Sequence, residues 1–211
     1  FTIGGALNIM TRDVPDRLSY SVDLAGGLRD TYKAHIWAGQ RWNRFGLLVE
    51  GAHLQSSGFK DLDGGGPTGF SRSELMSKGE LRLDRSVLEL KLGYATEHSN
   101  ETYLGLAFGD FEQEPYRRYS SSNQGDMSWN RTQAELRWNI RPSSKGRIHT
   151  VAYHHWLDRS WTKLNGFRDG TSLHQLLSSE ELSGQAEVYM AILRGEEDSA
   201  TTGQYLQIGT N

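Results

Sequence analysis

The sequence predicts an all-β protein: a fragment of an antiparallel transmembrane β-barrel with long extracellular loops. Three observations support this prediction. Apolar and polar residues alternate with a period of two along most of the chain, as they do in strands with two unlike faces. The connections between these strands alternate between short and long. The hydrophobic fraction is only 36%, which a barrel tolerates because only its lipid-facing side chains must be apolar.

Composition argues against several other classes. The chain has 211 residues, no cysteine and a net charge of −3. A disulfide scaffold and thiol chemistry are therefore excluded, and the charge gives no general argument for nucleic-acid binding. No apolar run reaches the roughly 18 residues that a transmembrane helix requires. No signal peptide is evident, and the chain starts at Phe1 in the middle of a pattern, which we interpret as truncation or maturation.

Eight segments have the alternation expected of strands. In the clearest, Arg131–Ile140, one face holds Thr, Ala, Leu, Trp and Ile, and the other holds Arg, Gln, Glu, Arg and Asn. In chain order, the predicted strands are Leu18–Leu24, Tyr32–Ala38, a strand starting with Phe45, Leu47 and Val49, then Glu74–Leu83, Ser86–Ala95, Arg131–Ile140, Gly146–Leu157, and a last strand opened by Tyr205, Leu206 and Ile208. Alternation alone is also compatible with a soluble β-sandwich, whose apolar face would point into a core.

In the barrel interpretation, one face of the sheet contacts lipid and the other faces water. Apolar residues such as Leu88, Leu90, Leu136 and Trp138 should contact acyl chains. The charged positions should line an aqueous interior, and they are Lys78, Glu80, Arg82, Glu89, Lys91, Arg131, Glu135 and Arg137.

The connections favour the barrel over the sandwich. Short connections fall at residues 41–44, 84–85 and 141–145, and long ones at 55–73, 96–128 and 158–203. Outer-membrane barrels have short periplasmic turns and long extracellular loops, whereas loops of this length are uncommon in compact soluble domains. Five aromatic residues lie near strand ends, namely Trp42, Phe45, Trp129, Trp156 and Trp161. This placement is typical of the aromatic belts of membrane proteins at the membrane–water interface, although aromatic residues also favour strands in general.

One segment departs from the period of two. Thr171–Glu196 contains leucines and other apolar residues at helical spacing, interrupted by Gly184. It predicts one or two short helices inside the last long loop. Packing of the loop is the simplest role for these helices, and recognition of a partner is the alternative.

The opening residues carry a resemblance to a known family. They read Thr2-Ile3-Gly4-Gly5-Ala6-Leu7-Asn8-Ile9-Met10-Thr11-Arg12, and this pattern resembles the end of the plug domain in TonB-dependent outer-membrane receptors. The two glycines permit a turn that other residues disfavour, and Val14-Pro15 looks like the linker from plug to barrel. Three loop segments are similar to the ferric dicitrate receptor group, namely Glu101–Leu106, Pro115–Tyr119 and Leu193–Glu196.

This resemblance implies an organisation and a function. Residues 1–14 would end a plug domain, and residues 15–211 would form about eight strands at the N-terminal part of a barrel of about twenty-two. The protein would take up an iron chelate, ferric citrate or another siderophore, across the outer membrane of a Gram-negative bacterium. Its partners would be the chelate, outer-membrane lipid and the TonB-ExbB-ExbD energy-coupling complex, which would act through plug regions outside this chain. Iron would be cargo, no cofactor is expected, and no motif indicates an enzyme.

Arginines are the candidate ligand-binding residues. Arg159 follows the strand Ala152–Leu157 at a position that looks like a ligand-contacting arginine of ferric dicitrate receptors, and Arg168 is a looser match to a second. Arg117 and Arg118 form a further basic pair beside Tyr116. Arginine binds carboxylates in a bidentate manner, as an anionic chelate requires. The alternative for each arginine is a solvated loop residue or an ion pair with a neighbouring acid.

Histidine and acidic residues are candidates for metal binding. His154 and His155 are adjacent and should point to opposite faces of a strand, so they cannot chelate one ion together. The acidic run at 196–198 could bind calcium, but a charged helix end is the simpler interpretation.

One rival function is a secreted β-sandwich binding module, which would be soluble without detergent. The other is a small passive outer-membrane barrel, whose first and last strands would pair.

Overall fold

Most of the chain forms one antiparallel sheet in the computed structural model, which describes residues 4–5, 10–179 and 183–210. Eight strands follow one another across it in the order β1-β2-β3-β5-β6-β8-β9-β10. Their bounds are β1 Ser19–Gly27, β2 Thr31–Trp42, β3 Phe45–Ser56, β5 Phe70–Leu83, β6 Ser86–Asn100, β8 Asp126–Ser143, β9 Gly146–Phe167 and β10 Leu206–Thr210. Two short strands, β4 (Asp61–Leu62) and β7 (Arg117–Arg118), pair in parallel. The predicted all-β, antiparallel class is confirmed.

Each of the eight predicted strands is present, and most extend beyond the predicted bounds. The largest difference is in β9, which was expected to end at Leu157 and continues to Phe167. The extension occurs because residues with no apolar alternation still complete the backbone hydrogen-bond ladder, as in the pairing of Thr162 with Asp126. The long loops are correspondingly shorter than predicted, at residues 57–69, 101–125 and 168–205.

Short turns lie at one end of the sheet and long loops at the other. The two-residue turns are 43–44, 84–85 and 144–145, and Asn43, in the first of them, has a positive φ of 54°. The long-loop end has one short connection, 28–30, in which Arg29 and Asp30 both have positive φ. The predicted asymmetry of the connections is therefore present, with this single tight turn as an exception among the described residues.

The two faces of the sheet differ in chemistry. We call the face that carries Lys78, Lys91 and Glu135 the inner face, and the opposite one the outer face. Apolar side chains on the outer face are exposed, with Leu90 at 45% and Leu136 at 41%. On the inner face, Lys78 and Lys91 are buried. The predicted separation of apolar and charged residues is confirmed, with the apolar side uncovered.

This arrangement contradicts two expectations of the rival architectures. A sandwich would bury the outer-face leucines under a second sheet, yet the only other strand pairing in the described ranges is the short β4–β7 pair. A closed barrel of eight strands would pair its first and last strands. In the part of the chain that the structure describes, β1 and β10 lie at opposite edges of the sheet and do not pair.

The long loops pack together around a hydrophobic cluster at their end of the sheet, which we call the loop core. Its buried members are Leu104, Tyr119, Leu164, Phe167, Leu176, Tyr189, Met190, Ile192 and Leu193. Around it lie α1 (Phe108–Gln113), a 3₁₀ helix (Ser120–Gln124), α2 (Leu173–Ser178), α3 (Gln185–Arg194) and α4 (Ser199–Thr202). None of the helices described is both long and apolar enough to cross a bilayer.

Two of these helices confirm the prediction for the last long loop. They are α2 and α3, and Gly184 is the N-cap of α3. Gly195 ends α3 in the left-handed conformation, with φ of 81°. The other helices of the loop core were not predicted, since they are too short to produce a helical period.

Candidate functional site

Ion pairs connect three neighbouring strands on the inner face. Lys91 in β6 lies 3.2 Å from Glu135 in β8. Arg137 contacts both Glu135 and Glu89, and Glu89 is 3.8 Å from Lys78 in β5. Charges with little water around them require such partners. The middle of the inner face is therefore nearly neutralised by its own side chains and has little free charge for a ligand.

Residues 10–16, which we call the inner segment, lie against this face. Lys78 Nζ donates a hydrogen bond to the Arg12 carbonyl at 2.7 Å, and Arg41 Nη2 donates to the Val14 carbonyl at 3.1 Å. The Arg12 guanidinium stands 4.1 Å from the centre of the Trp37 ring. Val14 itself is 5% exposed. The sheet thus holds this segment by hydrogen bonds, a cation–π contact and apolar packing.

Two glycines make room for the inner segment. A Cβ added to Gly46 would lie 2.7 Å from Val14 Cγ1, and one added to Gly39 would lie 2.8 Å from Pro15 Cδ. Both distances are too short for real carbon contacts. The absence of side chains at these positions therefore allows the segment to approach the backbone of β2 and β3.

The structure describes the predicted plug turn only in part. Gly5 has φ of 87°, a conformation that glycine adopts without steric cost. Gly4 and Gly5 are both exposed, and a Cβ on either would meet no other atom. Residues 6–9, which hold most of the strand predicted after this turn, lie outside the described residues.

A cavity of about 740 Å³ lies where the inner segment meets the sheet. Its volume falls within the range of about 300–1,000 Å³ that is common for small-molecule sites. The charged side chains that line it are Arg12, Glu50, Arg72, Glu74, Lys91 and Arg131. Four of these six side chains are basic, so the cavity is better suited to an anion than to a cation.

Basic and aromatic side chains cross the inner face near the long loops. Cross-strand pairs follow one another in a line here: Arg72 of β5 pairs with Glu97 of β6. Glu97 in turn pairs with Trp129 of β8, and Trp129 pairs with Arg159 of β9. The Arg72 and Arg131 guanidiniums lie 5.5 and 5.9 Å from the Trp129 ring centre. We call the set of Arg72, Trp129, Arg131, Arg159 and Trp161 the arginine–tryptophan row.

Two arginines of this row have unneutralised charge. Arg72 is paired with Glu74 and Glu97. Arg131 and Arg159 form no ion pair within residues 10–179 and 183–210, and Arg159 stands 5.8 Å from the Trp161 ring centre. An anionic ligand would supply the carboxylates that these two guanidiniums lack.

The other predicted ligand residues lie in different places. Arg168 is at the end of β9, 5.5 Å from the Tyr205 ring centre. Tyr116 is an exposed residue of the loop 101–125, in edge-on contact with Phe59. Arg118 donates hydrogen bonds to the Pro115 and Arg117 carbonyls. The structure thus brings Arg159, alone among the five predicted residues, into the arginine–tryptophan row.

Arg117 forms ion pairs with two loop carboxylates. Its guanidinium lies 3.0 Å from Asp63 and 3.6 Å from Asp110. The hydrogen bonds to Asp63 raise the pKa of Arg117, against the effect of burial. This geometry matches the alternative considered for the residue, an ion pair with neighbouring acids, and it ties the loop 57–69 to the loop 101–125.

Asp110 connects the loops to one another. It accepts hydrogen bonds from Tyr119 Oη at 2.5 Å and from Arg194 of α3 at 2.8 Å. Burial raises the pKa of this carboxyl, but the two hydrogen bonds and the nearby arginines outweigh burial and leave the pKa below its usual value of 3.8. Burial, together with the bond to Asp110, raises the pKa of Tyr119 to about 12. Asp110 is therefore a structural anion of the loop core.

Two sequence expectations concern aromatic and histidine residues. Trp129 and Trp161 were expected in an interfacial girdle, but strand register places them on the inner face beside arginines. Trp156 is on the outer face and exposed, as expected. His154 and His155 point to opposite faces, because alternate residues of β9 face opposite ways. In the ranges described, no group of three or more His, Asp or Glu side chains is arranged to hold a metal ion.

The site that sequence reasoning missed is the row itself. The alternation predicts that Arg131 lines the interior, but it does not predict that Arg131 lies near Arg159. Strand register is the signal that would have found it, since Arg131 pairs with Leu157 and so lies on the same face as Arg159. Comparison of the chain with protein-family models, with curated proteins and with solved structures found no significant match.

Proposed function

We propose that this chain is part of an outer-membrane receptor that takes up an anionic iron chelate. One observation carries the proposal: a single antiparallel sheet has an exposed outer face that is uncharged along its middle, and most of its charged residues lie on the inner face, where they pair. This is the distribution expected when hydrocarbon surrounds a sheet and water fills its interior.

The length of the uncharged band supports a membrane location. Outer-face residues between 75 and 83 in β5, and between 132 and 140 in β8, include no Asp, Glu, Lys or Arg. The outer-face residues between 148 and 156 in β9 are likewise free of these four types. A transmembrane strand needs about 9–11 residues to cross the hydrocarbon. These bands have that length and lie at the same level of the sheet, β8 next to β9, and β5 separated from β8 by β6.

The inner face suggests the cargo. Arg131 and Arg159, which form no ion pair with any residue that the structure describes, lie near the long loops. These loops would be at the extracellular end of a barrel. Ferric citrate and related siderophore complexes are anionic, and a guanidinium can bind a carboxylate through two parallel hydrogen bonds. The neighbouring tryptophans would cover the apolar parts of such a ligand.

The inner segment supports the proposed division of the chain at residues 14 and 15. It connects the glycine turn to β1 while it is held on the inner face by Lys78 and Arg41. A linker from a plug inside the barrel would follow this course. The TonB-ExbB-ExbD complex would act on the plug, and movement of the plug would open the path for the chelate.

An insertion experiment tests the membrane location. Leu90→Arg places a charge in the middle of the uncharged band and should reduce the free energy of folding into lipid vesicles by about 2–4 kcal/mol. Gln133→Arg adds the same side chain to the inner face and should fold like the wild type. The measurement is urea-dependent folding into phosphatidylcholine vesicles, followed by heat-modifiable gel mobility. Equal folding of all three proteins, or a folded monomer in water without detergent, would instead favour the soluble binding module.

A further inference from the structure

A cleft of about 410 Å³ lies at the short-turn end of the sheet, away from the arginine–tryptophan row. Three arginines line it: Arg85 in the turn between β5 and β6, Arg141 near the end of β8, and Arg147 at the start of β9. The remaining lining residues are Leu83, Asp84, Ser86, Val87 and Asn139. The cleft therefore combines three guanidiniums with a small apolar border.

Local backbone structure brings these arginines together. The Arg141 N–H donates a hydrogen bond to the Arg85 carbonyl at 2.8 Å, which joins the neighbouring strand ends. The register of β8 and β9 shifts between Ile140 and Ser143, and Pro142, which has no N–H to offer the ladder, lies in this irregular stretch. Such a shift changes the direction of nearby side chains. Arg141 and Arg147 consequently line one cleft from two strands.

The three arginines differ from others at the same end of the sheet. Arg44 is 2.9 Å from Asp84, and Arg82 is 2.6 Å from Glu80. By contrast, Arg85, Arg141 and Arg147 form no ion pair in the part of the chain that the structure describes. The one carboxylate in the cleft lining, Asp84, is already paired with Arg44. The cleft thus has a local excess of positive charge that the protein's own acids do not neutralise.

We infer that this cleft binds the phosphate group of an anionic phospholipid or of a soluble phosphate compound. Guanidinium groups match the geometry of phosphate oxygens and bind them bidentately. Leu83 at the border belongs to the outer face and gives apolar surface on the side where a lipid would lie, whereas Val87 belongs to the inner face. The lipid source rests on the proposed membrane location, since the short turns would then lie at headgroup level, where arginine side chains reach phosphates. The soluble source does not depend on it.

The test compares two triple variants of the full chain in detergent micelles. The first, Arg85→Gln with Arg141→Gln and Arg147→Gln, removes the three cleft cations. The control, Arg17→Gln with Arg82→Gln and Lys145→Gln, removes the same charge from the same end of the sheet, outside the cleft lining, and leaves the Arg44–Asp84 pair intact. A third variant, Arg85→Lys with Arg141→Lys and Arg147→Lys, keeps the positive charge but lacks the planar guanidinium groups. Native mass spectrometry measures retained phosphatidylglycerol against phosphatidylcholine, and calorimetry measures binding of inorganic pyrophosphate.

We expect the control to bind like the wild type and the cleft variant to lose about tenfold or more in affinity, with the lysine protein intermediate. Loss of phosphatidylglycerol alone would identify a lipid headgroup as the ligand, and loss of pyrophosphate would identify a soluble phosphate. Equal losses in the cleft variant and the control, or no binding by the wild type, would overturn the inference. Heat-modifiable gel mobility of each protein separates a binding defect from misfolding and from failure of the proposed membrane location.

Discussion

The packing of Val14 against Gly46 predicts a double-mutant result that only a docked inner segment would produce. In Gly46→Ala, the new methyl group would lie 2.7 Å from Val14 Cγ1 and 3.1 Å from Arg41 Nη1. The Arg41 side chain is long and can move, but Val14 is buried between the sheet and its own segment. We therefore expect the substitution to push the inner segment off the sheet while leaving the strands paired.

The magnitudes follow from the groups involved. Overpacking at Gly46 should weaken docking of the segment by about 1–3 kcal/mol, which corresponds to about 5- to 150-fold more of the undocked form. Val14→Ala alone removes two buried carbons and should cost about 1.6 kcal/mol. In the double variant, the shortened side chain leaves space for the new methyl group. The double variant should therefore cost about as much as Val14→Ala alone, well below the sum of the two single effects.

Trypsin cleavage after Arg12 measures this docking, because the Arg12 carbonyl is bonded to Lys78 only while the segment is docked. Gly46→Ala and Val14→Ala should each speed cleavage, and the double variant should be cleaved at about the same rate as Val14→Ala. The matched control is Gly79→Ala in the same sheet, where an added Cβ meets no atom within 4 Å and cleavage should not change. Additive effects of the two substitutions, or equal cleavage of Gly46→Ala and Gly79→Ala, would refute the docking of residues 10–16 on the inner face.

Two further predictions concern the ligand and the loops. Arg131→Gln and Arg159→Gln should each weaken ferric dicitrate binding by about 10- to 150-fold, as expected from the loss of about 1.5–3 kcal/mol per charged hydrogen bond, whereas Arg17→Gln should not. Quenching of tryptophan fluorescence by the iron complex measures the affinity, and unchanged affinity in both variants would exclude the row as the site. Asp110→Asn should loosen the loop core and raise hydrogen exchange in α3 at neutral pH. Because the folded-state pKa of Asp110 is lowered, the carboxylate stabilises the fold above the usual pKa of 3.8, and this stabilisation is lost as pH falls through the lower folded-state pKa. Hydrogen exchange in the wild type should therefore become similar to that in the variant in acid. Equal exchange of the two proteins at neutral pH would contradict the role of this carboxylate.

Sequence periodicity could predict the strands because each has two unlike faces. The alternation in 131–140 placed Leu136 outside and Glu135 inside, and both are found there. It could not predict the strand ends near the loops, where β9 continues through polar residues on both faces to Phe167. Backbone pairing there depends on the neighbouring strand, which a single stretch of sequence does not reveal.

The candidate site was predictable only in part, for a related reason. A residue's face follows from its parity in a strand, so Arg131 and Arg159 could each be assigned to the interior. Their common position beside Trp129 depends on the register between β8 and β9, and register is set by turn geometry and by the irregularity near Pro142. Docking of residues 10–16 could not be predicted either, since it depends on contacts with Gly39 and Gly46, which are more than twenty positions along the chain.

The location of the buried apolar residues is the strongest physical argument about the environment of this sheet. Among the residues that the structure describes, nine of the twelve buried hydrophobic residues belong to the loop core, and the other three are Val14, Leu48 and Ala95. An eight-stranded sheet with so small a core would leave a broad apolar face in water, although soluble proteins rarely expose apolar patches above a few hundred Å². A protein partner on that face would be expected to meet polar groups among the apolar ones. Contact with hydrocarbon requires neither a polar rim nor hydrogen bonds. An outer face that is uncharged across adjacent strands is therefore explained better by hydrocarbon than by a second protein.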